Sequence, residues 1–245
     1  MFKVVIPARY ASTRLPGKPL LEIAGKPMVI HVAEQAAKSQ ADEVVIATDF
    51  EKIIKVAATH HVSAVMTRID HVSGTDRIAE VVQAMGWADE AIVVNVQGDE
   101  PLIDPQLINE VALTLAHNPE AVMATACHPI HDEAAFLNPN IVKVVMDAQG
   151  NALYFSRAPI PYPRDEADKH HIQAHRHIGI YAYRVGFLKA YADLTVTALE
   201  KIESLEQLRV LHHGYKIAVS VTDNAPASGV DTQADLDYVR SVLQA

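Results

Sequence analysis

The feature that most narrows the fold is the alternation of short apolar runs with helical patterns along the first half of the chain. Val4-Val5-Ile6, Val44–Ala47, Ala91–Val96 and Val122–Ala126 are strand-like, and Val62–Met66 is a shorter run of the same kind. Between them, apolar residues fall at helical spacing: Val29, Val32, Ala33 and Ala36; Ile53, Ile54 and Ala57; Ile78, Val81, Val82 and Met85; Leu107, Ile108, Val111 and Leu115. A strand that is apolar at every position is buried on both faces. Strands and helices joined by short connections therefore predict an α/β fold, a mostly parallel sheet flanked by helices. Helix-start signals agree. Asp104-Pro105 places an N-cap before a proline at the first helical position, and Ser73/Asp76 and Thr232/Asp235 have capping-box spacing.

After residue 135 the rhythm changes. Ile141–Met146 and Ala152–Phe155 flank Asp147-Ala148-Gln149-Gly150-Asn151 and predict an antiparallel hairpin. Residues 159–175 predict a mobile loop, Ile178–Tyr183 a strand, Ala198–His212 a helix, Lys216–Val221 a last strand, and Leu236, Val239 and Leu243 a final helix. The chain predicts a single domain over 1–245, with residues of about 136–200 forming an inserted hairpin lobe or subunit contact.

Directly after the first strand, the chain breaks at Pro7 and stays irregular through Pro16-Gly17. Arg9, Arg14 and Lys18 lie in this loop with no local carboxylate. Fixed cations where a first strand ends are suited to holding a polyphosphate. Asp99 follows the buried strand AIVVNV, and Asp231 follows Gly229 after another apolar stretch. Two carboxylates at one sheet edge suit magnesium, which takes one or two of them together with substrate phosphates. The plain alternative is that each aspartate caps the turn or helix after it.

Other chemistries find less support. There is no G-x-G-x-x-G fingerprint, and neither Gly17-Lys18 nor Gly25-Lys26 is preceded by the glycine of a P-loop. His170, His171, His175 and His177 crowd together, but without H-E-x-x-H or a cysteine partner. Ser12, Ser73 and Ser156 lack a visible His/Asp arrangement. A formal charge of -9 disfavours a nucleic-acid binder, and no apolar run reaches membrane-span length. The lone Cys127 excludes an intrachain disulfide and fits the cytoplasm.

Taken together, IPARYASTRLPGKPL, ATD at 47–49, MTR at 66–68, DHVSGTDR at 70–77, VNVQGDEPLI at 94–103, NPNIVKVV at 138–145, LYFSRAPIP at 153–161, RHIGIYAYR at 176–184, LEQLRVL at 205–211 and GVDT at 229–232 resemble the CMP-Kdo synthetases. These are the 3-deoxy-manno-octulosonate cytidylyltransferases of lipopolysaccharide biosynthesis, within the sugar nucleotidyltransferase superfamily. The resemblance implies a Rossmann-like mixed sheet of the nucleotide-diphospho-sugar transferase kind. It implies the reaction CTP plus Kdo to CMP-Kdo plus pyrophosphate, with Mg2+, in a cytoplasmic homodimer. It implies that Arg9, Arg14, Lys18 and Asp99 carry catalysis. It further implies CTP contacts from Pro7, Ala8, Arg9, Lys18, Thr67, Arg68, Ser73, Gly74 and Thr75. Sugar contacts would come from Gln97, Arg157, His177, Tyr181, Glu206 and Gln207, and metal ligation from Asp99 and Asp231. This chain departs from the pattern in a shorter segment between Arg164 and Arg176 and in Asp76, where some relatives have Glu. Two other readings stay open: a cytidylyltransferase for a related sugar acid such as 8-amino-Kdo or a sialic acid, and a non-catalytic nucleotide-binding protein of the same fold.

Overall fold

The computed structural model describes residues 1–11, 15–71, 73–165, 173–223 and 229–244. The chain begins with strand β1 (Phe2–Ala8), then a two-residue hairpin, β2 (Glu22–Ile23) and β3 (Lys26–Pro27), and helix α1 (Met28–Ala36). β4 (Glu43–Thr48), α2 (Glu51–Thr59), β5 (Ser63–Met66), α3 (Gly74–Met85), β6 (Ile92–Asn95), α4 (Pro105–His117) and β7 (Ala121–Ile130) follow. The second part comprises α5 (Glu133–Leu137), β8 (Lys143–Met146), β9 (Ala152–Ser156), β10 (Ala174–Arg184), α6 (Val185–Tyr191), α7 (Ala198–Glu203), α8 (Gln207–His212), β11 (Lys216–Val221) and α9 (Gln233–Leu243).

The main sheet runs β11-β7-β10-β6-β1-β4-β5. β1 is parallel to β4 and β6, β4 to β5, and β11 to β7. β10 alone in this row is antiparallel to its neighbours, placing Tyr181 opposite Asn95 and His177 opposite Cys127. The carboxyl ends of β1, β4, β5 and β6 therefore share one edge with the middle of β10. That edge is where open α/β sheets bind ligands.

The apolar runs are buried from both sides. On one face, Val4, Ile6 and Val94 pack with Val29, Ile108, Val111 and Leu115 of α1 and α4. On the other, Val5, Val45 and Val93 pack with Val81 and Val82 of α3 and Leu188 of α6. A third cluster joins Ile23 and Met28 to Val230, Leu236 and Val239. It pins the segment around residue 230 and α9 beside the first hairpin.

The expected hairpin forms, and it is continuous with the main sheet because β8 also pairs with β10. Asp104 and Thr232 cap α4 and α9, the latter with a complete capping box. Ser73 caps α3 by accepting from Asp76 N, while its hydroxyl donates to the Asp76 carboxylate.

The single helix expected over 198–212 is two. Ser204 adopts a left-handed conformation, φ 51°, and ends α7. The break turns the two halves apart, so that Ile202 is 80% exposed while Leu205 and Leu208 are buried. Ile202, Leu205 and Leu208, three residues apart in the sequence, therefore do not share one face. His175 and His177 lie on β10 rather than in a loop, and His170 and His171 fall outside the described residues. Among the described residues no group of three or more His, Cys, Asp or Glu is placed to hold a metal, and no helix is long and apolar enough to cross a membrane.

Candidate active site

Two loops at the sheet edge touch closely. A Cβ on Gly98 would stand 2.8 Å from the Pro7 carbonyl oxygen. Only glycine lets the turn after β6 lie against the end of β1. The backbone N–H of Val230 donates to the Asp99 carbonyl at 2.8 Å, drawing the C-terminal segment onto the same turn. Lys18 enters from a third direction. It follows Gly17, whose left-handed φ of 66° sits beneath the Tyr10 ring, and it opens a short 3-10 turn.

The Lys18 ammonium lies between two carboxylates, 2.5 Å from Asp99 Oδ2 and 3.0 Å from Asp231 Oδ1. The lysine side chain is only 12% exposed. With Pro7, Ala8, Arg9 and Gln97 these groups line a cavity of about 230 Å³. Two carboxylates thus converge on one position already held by a cation. That donor set fits magnesium, whose remaining ligands would be phosphate and water. Burial, reinforced by the negative charge of Asp99 and opposed by Lys18, pushes the neighbouring Glu100 carboxyl up to about 8. Its carboxyl is mostly protonated at neutral pH and adds little to the negative charge of the pair. Arg14 falls outside the described residues.

Beside this cavity, a buried ion pair ties together the loops expected to hold the nucleoside. Arg77, 3% exposed, donates to Asp49 Oδ2 at 2.9 Å, to the Thr67 hydroxyl, and to the Arg68 carbonyl at 3.3 Å. The other oxygen of Asp49 accepts from Tyr10 N at 3.2 Å, and the Tyr10 ring stacks on Phe50 with centroids 3.9 Å apart. Thr67 is buried, whereas the exposed Arg68 guanidinium pairs with Asp70 through two hydrogen bonds of 2.9 and 2.5 Å. Gly74 lies against the Pro7 ring.

A second cavity, of about 130 Å³, adjoins the first through Gln97. Gly74, Thr75, Asn95, Tyr181, Glu206 and Gln207 line it, together with Tyr183, Tyr191 and apolar side chains. Glu206 Oε1 accepts from Tyr191 OH at 2.7 Å and from Ser73 Oγ at 3.3 Å. The Arg209 guanidinium sits 4.8 Å over the Tyr191 ring and is anchored by Glu200 at 2.5 and 2.8 Å. Burial and the nearby Glu206 charge push the Tyr181, Tyr183 and Tyr191 phenols up, so all three remain protonated donors.

His177 stands behind Tyr181, against Phe155. Thr125 spends its hydroxyl proton on the Ile178 and Ile180 carbonyls, so His177 Nε2 donates to the Thr125 oxygen at 3.0 Å. Burial pushes this imidazole down to about 3. It therefore offers no positive charge to a sugar carboxylate at neutral pH. Neither His177 nor Arg157 lines the second cavity. Arg157 Nε is drawn instead to the Glu203 carbonyl at 2.7 Å and Nη1 to the Pro139 carbonyl at 3.1 Å.

The structure thus gathers Pro7, Ala8, Arg9, Lys18, Asp99 and Asp231 at one cavity and Gly74, Thr75, Tyr181, Glu206 and Gln207 at the next, with Gln97 between. Sequence reasoning missed Asp49, Arg77, Asn95, Tyr183 and Tyr191. Arg77 is a cation in the first turn of a helix, where the helix dipole disfavours it, and that misplaced charge was a usable signal. Asn95, a single amide inside an otherwise apolar strand, was another.

Residues 3–217 match the cytidylyltransferase family. Over 100% of this chain and 99% of the other, the fold superposes with TM-score 0.92 and 44% identity on CMP:2-keto-3-deoxy-manno-octonic acid synthetase complexed with CTP. A cytidylyltransferase from Leptospira borgpetersenii serovar Hardjo-bovis (strain JB197) shares the fold at TM-score 0.64 and 17% identity, over 99% of this chain and 86% of that one.

Proposed function

Since the chain belongs to the cytidylyltransferase family, we propose that it transfers CMP from CTP to the sugar acid Kdo, releasing pyrophosphate. The observation that carries the reading is the Lys18 ammonium between Asp99 and Asp231, in a cavity that shares Gln97 with a second, hydroxyl-lined one. The first suits a triphosphate and the second a polyol. The full-length similarity to the CTP-bound synthetase supports the same pair of substrates.

Transfer of this kind rests on alignment and charge stabilisation. Arg9 and Lys18 face the phosphates and offset charge that builds on the leaving pyrophosphate. Pro7 and Ala8 hold the nucleotide, Gly74 and Thr75 form the wall where it meets the second cavity, with Gly74 against the Pro7 ring, and Arg77 keeps these loops in register. Gln97, at the junction, positions the sugar hydroxyl toward the α-phosphorus. Asp99 and Asp231 would hold Mg2+, which when bound neutralises phosphate charge and lowers the pKa of oxygen bound to it.

Glu206, the one charged group lining the second cavity among the described residues, favours a second reading. An ammonium group on the sugar, as in 8-amino-Kdo, would be attracted to it. Purified protein with CTP, Mg2+ and either Kdo, 8-amino-Kdo or a sialic acid, followed by mass detection of the nucleotide sugar, separates these. CTP binding without pyrophosphate release from any of them would overturn the enzymatic reading. A cytoplasmic homodimer completes the proposal: Leu153 on β9 of the hairpin, 60% exposed, is an apolar side chain available to a second copy.

A further inference from the structure

Two buried polar atoms in the second cavity have no partner among the protein's own groups, although the Asn95 side chain also bonds the Tyr183 phenol. They are the side-chain carbonyl oxygen of Asn95 and the side-chain amide nitrogen of Gln207. Asn95 is 3% exposed and Gln207 4%, and both line the same cavity. A buried polar group left unsatisfied is a standing cost to folding, and such groups are rare in native proteins. An acceptor and a donor without protein partners, both beside one small cavity, match a ligand with the complementary groups. A sugar hydroxyl can donate to the first and accept from the second. The surrounding groups suit the hydroxyl-bearing part of a ligand: Tyr181, Tyr183 and Tyr191 flank the cavity, and no cation for a carboxylate lines it among the described residues.

We propose that Asn95 is a specificity-determining residue of the sugar site, its Oδ1 accepting a hydrogen bond from a hydroxyl of the sugar acid while Gln207 donates to an adjacent oxygen. This rests on the reading of the second cavity as the sugar site. The residue's place supports it. Asn95 ends β6, directly opposite Tyr181 on β10 and two residues before Gln97. The strand that delivers the junction residue thus also delivers the reader.

Asn95→Leu keeps the branching at Cγ, is bulkier, and removes the acceptor. Steady-state kinetics of wild type and variant, with whichever of Kdo and 8-amino-Kdo the wild type uses better, decide the matter. The expected result is a KM for the sugar raised tenfold or more, with KM for CTP changed less than twofold. An unchanged sugar KM, or equal rises for both substrates, would overturn the inference while leaving the activity in place. No turnover by wild type with either sugar would overturn the reading of the site, and this inference with it. Asn95→Ala, which also lacks the acceptor, is read by the same split where leucine prevents folding.

Discussion

Lys18 and Asp99 stand 81 residues apart in the chain and 2.5 Å apart in space. The ammonium occupies the point on which the two carboxylates converge, so it holds Asp99 and Asp231 together when no other cation does. Removing a preorganised charge from such a centre costs about 10²- to 10³-fold in turnover. Lys18→Met and Asp99→Asn are expected to lower kcat by this order, measured as pyrophosphate release, with little change in thermal stability.

Asp231 is the outer member of the pair, 48% exposed against 34% for Asp99. Asp231→Ala is expected to raise the Mg2+ concentration needed for half-maximal rate. Chelation with EDTA is expected to abolish wild-type turnover, and added Mg2+ to restore it. Full activity of the variant at limiting Mg2+ would remove Asp231 from the metal site.

The Arg77–Asp49 pair is buried on both sides, with side chains 4% and 9% exposed. Losing one partner strands a buried charge, at about 3–5 kcal/mol. Arg77→Gln is expected to lower Tm by roughly 6–20 °C, read by calorimetry. Since Arg77 joins the Tyr10 loop to Thr67 and Arg68, KM for CTP should rise in whatever fraction remains folded.

Gly98→Ala would push a methyl group against the Pro7 carbonyl oxygen, 2.8 Å away. The cheapest relief is separation of the Asp99 turn from the Pro7-Ala8 turn. Misplacement of about 1 Å at a reacting centre can cost 10²-fold. The variant is expected to lose about that much in kcat/KM for CTP while keeping its far-UV circular dichroism.

His177 governs part of the acid response. Its folded-state pKa of about 3 lies below the ordinary 6.5, so between these values the unfolded chain binds the extra proton. Its contribution to stability is complete above about 6.5 and is lost as pH falls toward 3. Wild-type Tm is expected to fall across this window. His177→Gln, which keeps a donor near Thr125, is expected to fall less.

Much of the fold was legible because burial leaves a period in the sequence. Val4 and Ile6 on one face of β1 and Val5 on the other announce a strand covered twice. Strand direction leaves no such mark, so the insertion of antiparallel β10 between β6 and β7 could not be read from apolar runs. The 198–212 segment misled for a related reason. Its apolar residues Ile202, Leu205, Leu208 and Leu211 recur every three positions across Ser204, and a left-handed residue changes direction without changing composition. The cations and aspartates of the first cavity were legible as charges at strand ends. Asn95 and Arg77 were not, because their roles depend on which buried neighbours they find. Arg157 and His177 were named by resemblance alone, and the structure sets both apart from the cavity lining.

β10 spans eleven residues, about 36 Å of extended backbone. Its outer end carries the hairpin through His175 and Arg176, and farther along it presents Tyr181 beside Asn95. One strand is therefore clamped by different neighbours at its two ends, and its register against β7 breaks between them, at Ile178/Tyr181. A load placed on the hairpin, by a second subunit or any other body, meets that irregularity before it reaches Tyr181. The peripheral ribbon is coupled to the tyrosines through a joint, not a rigid bar.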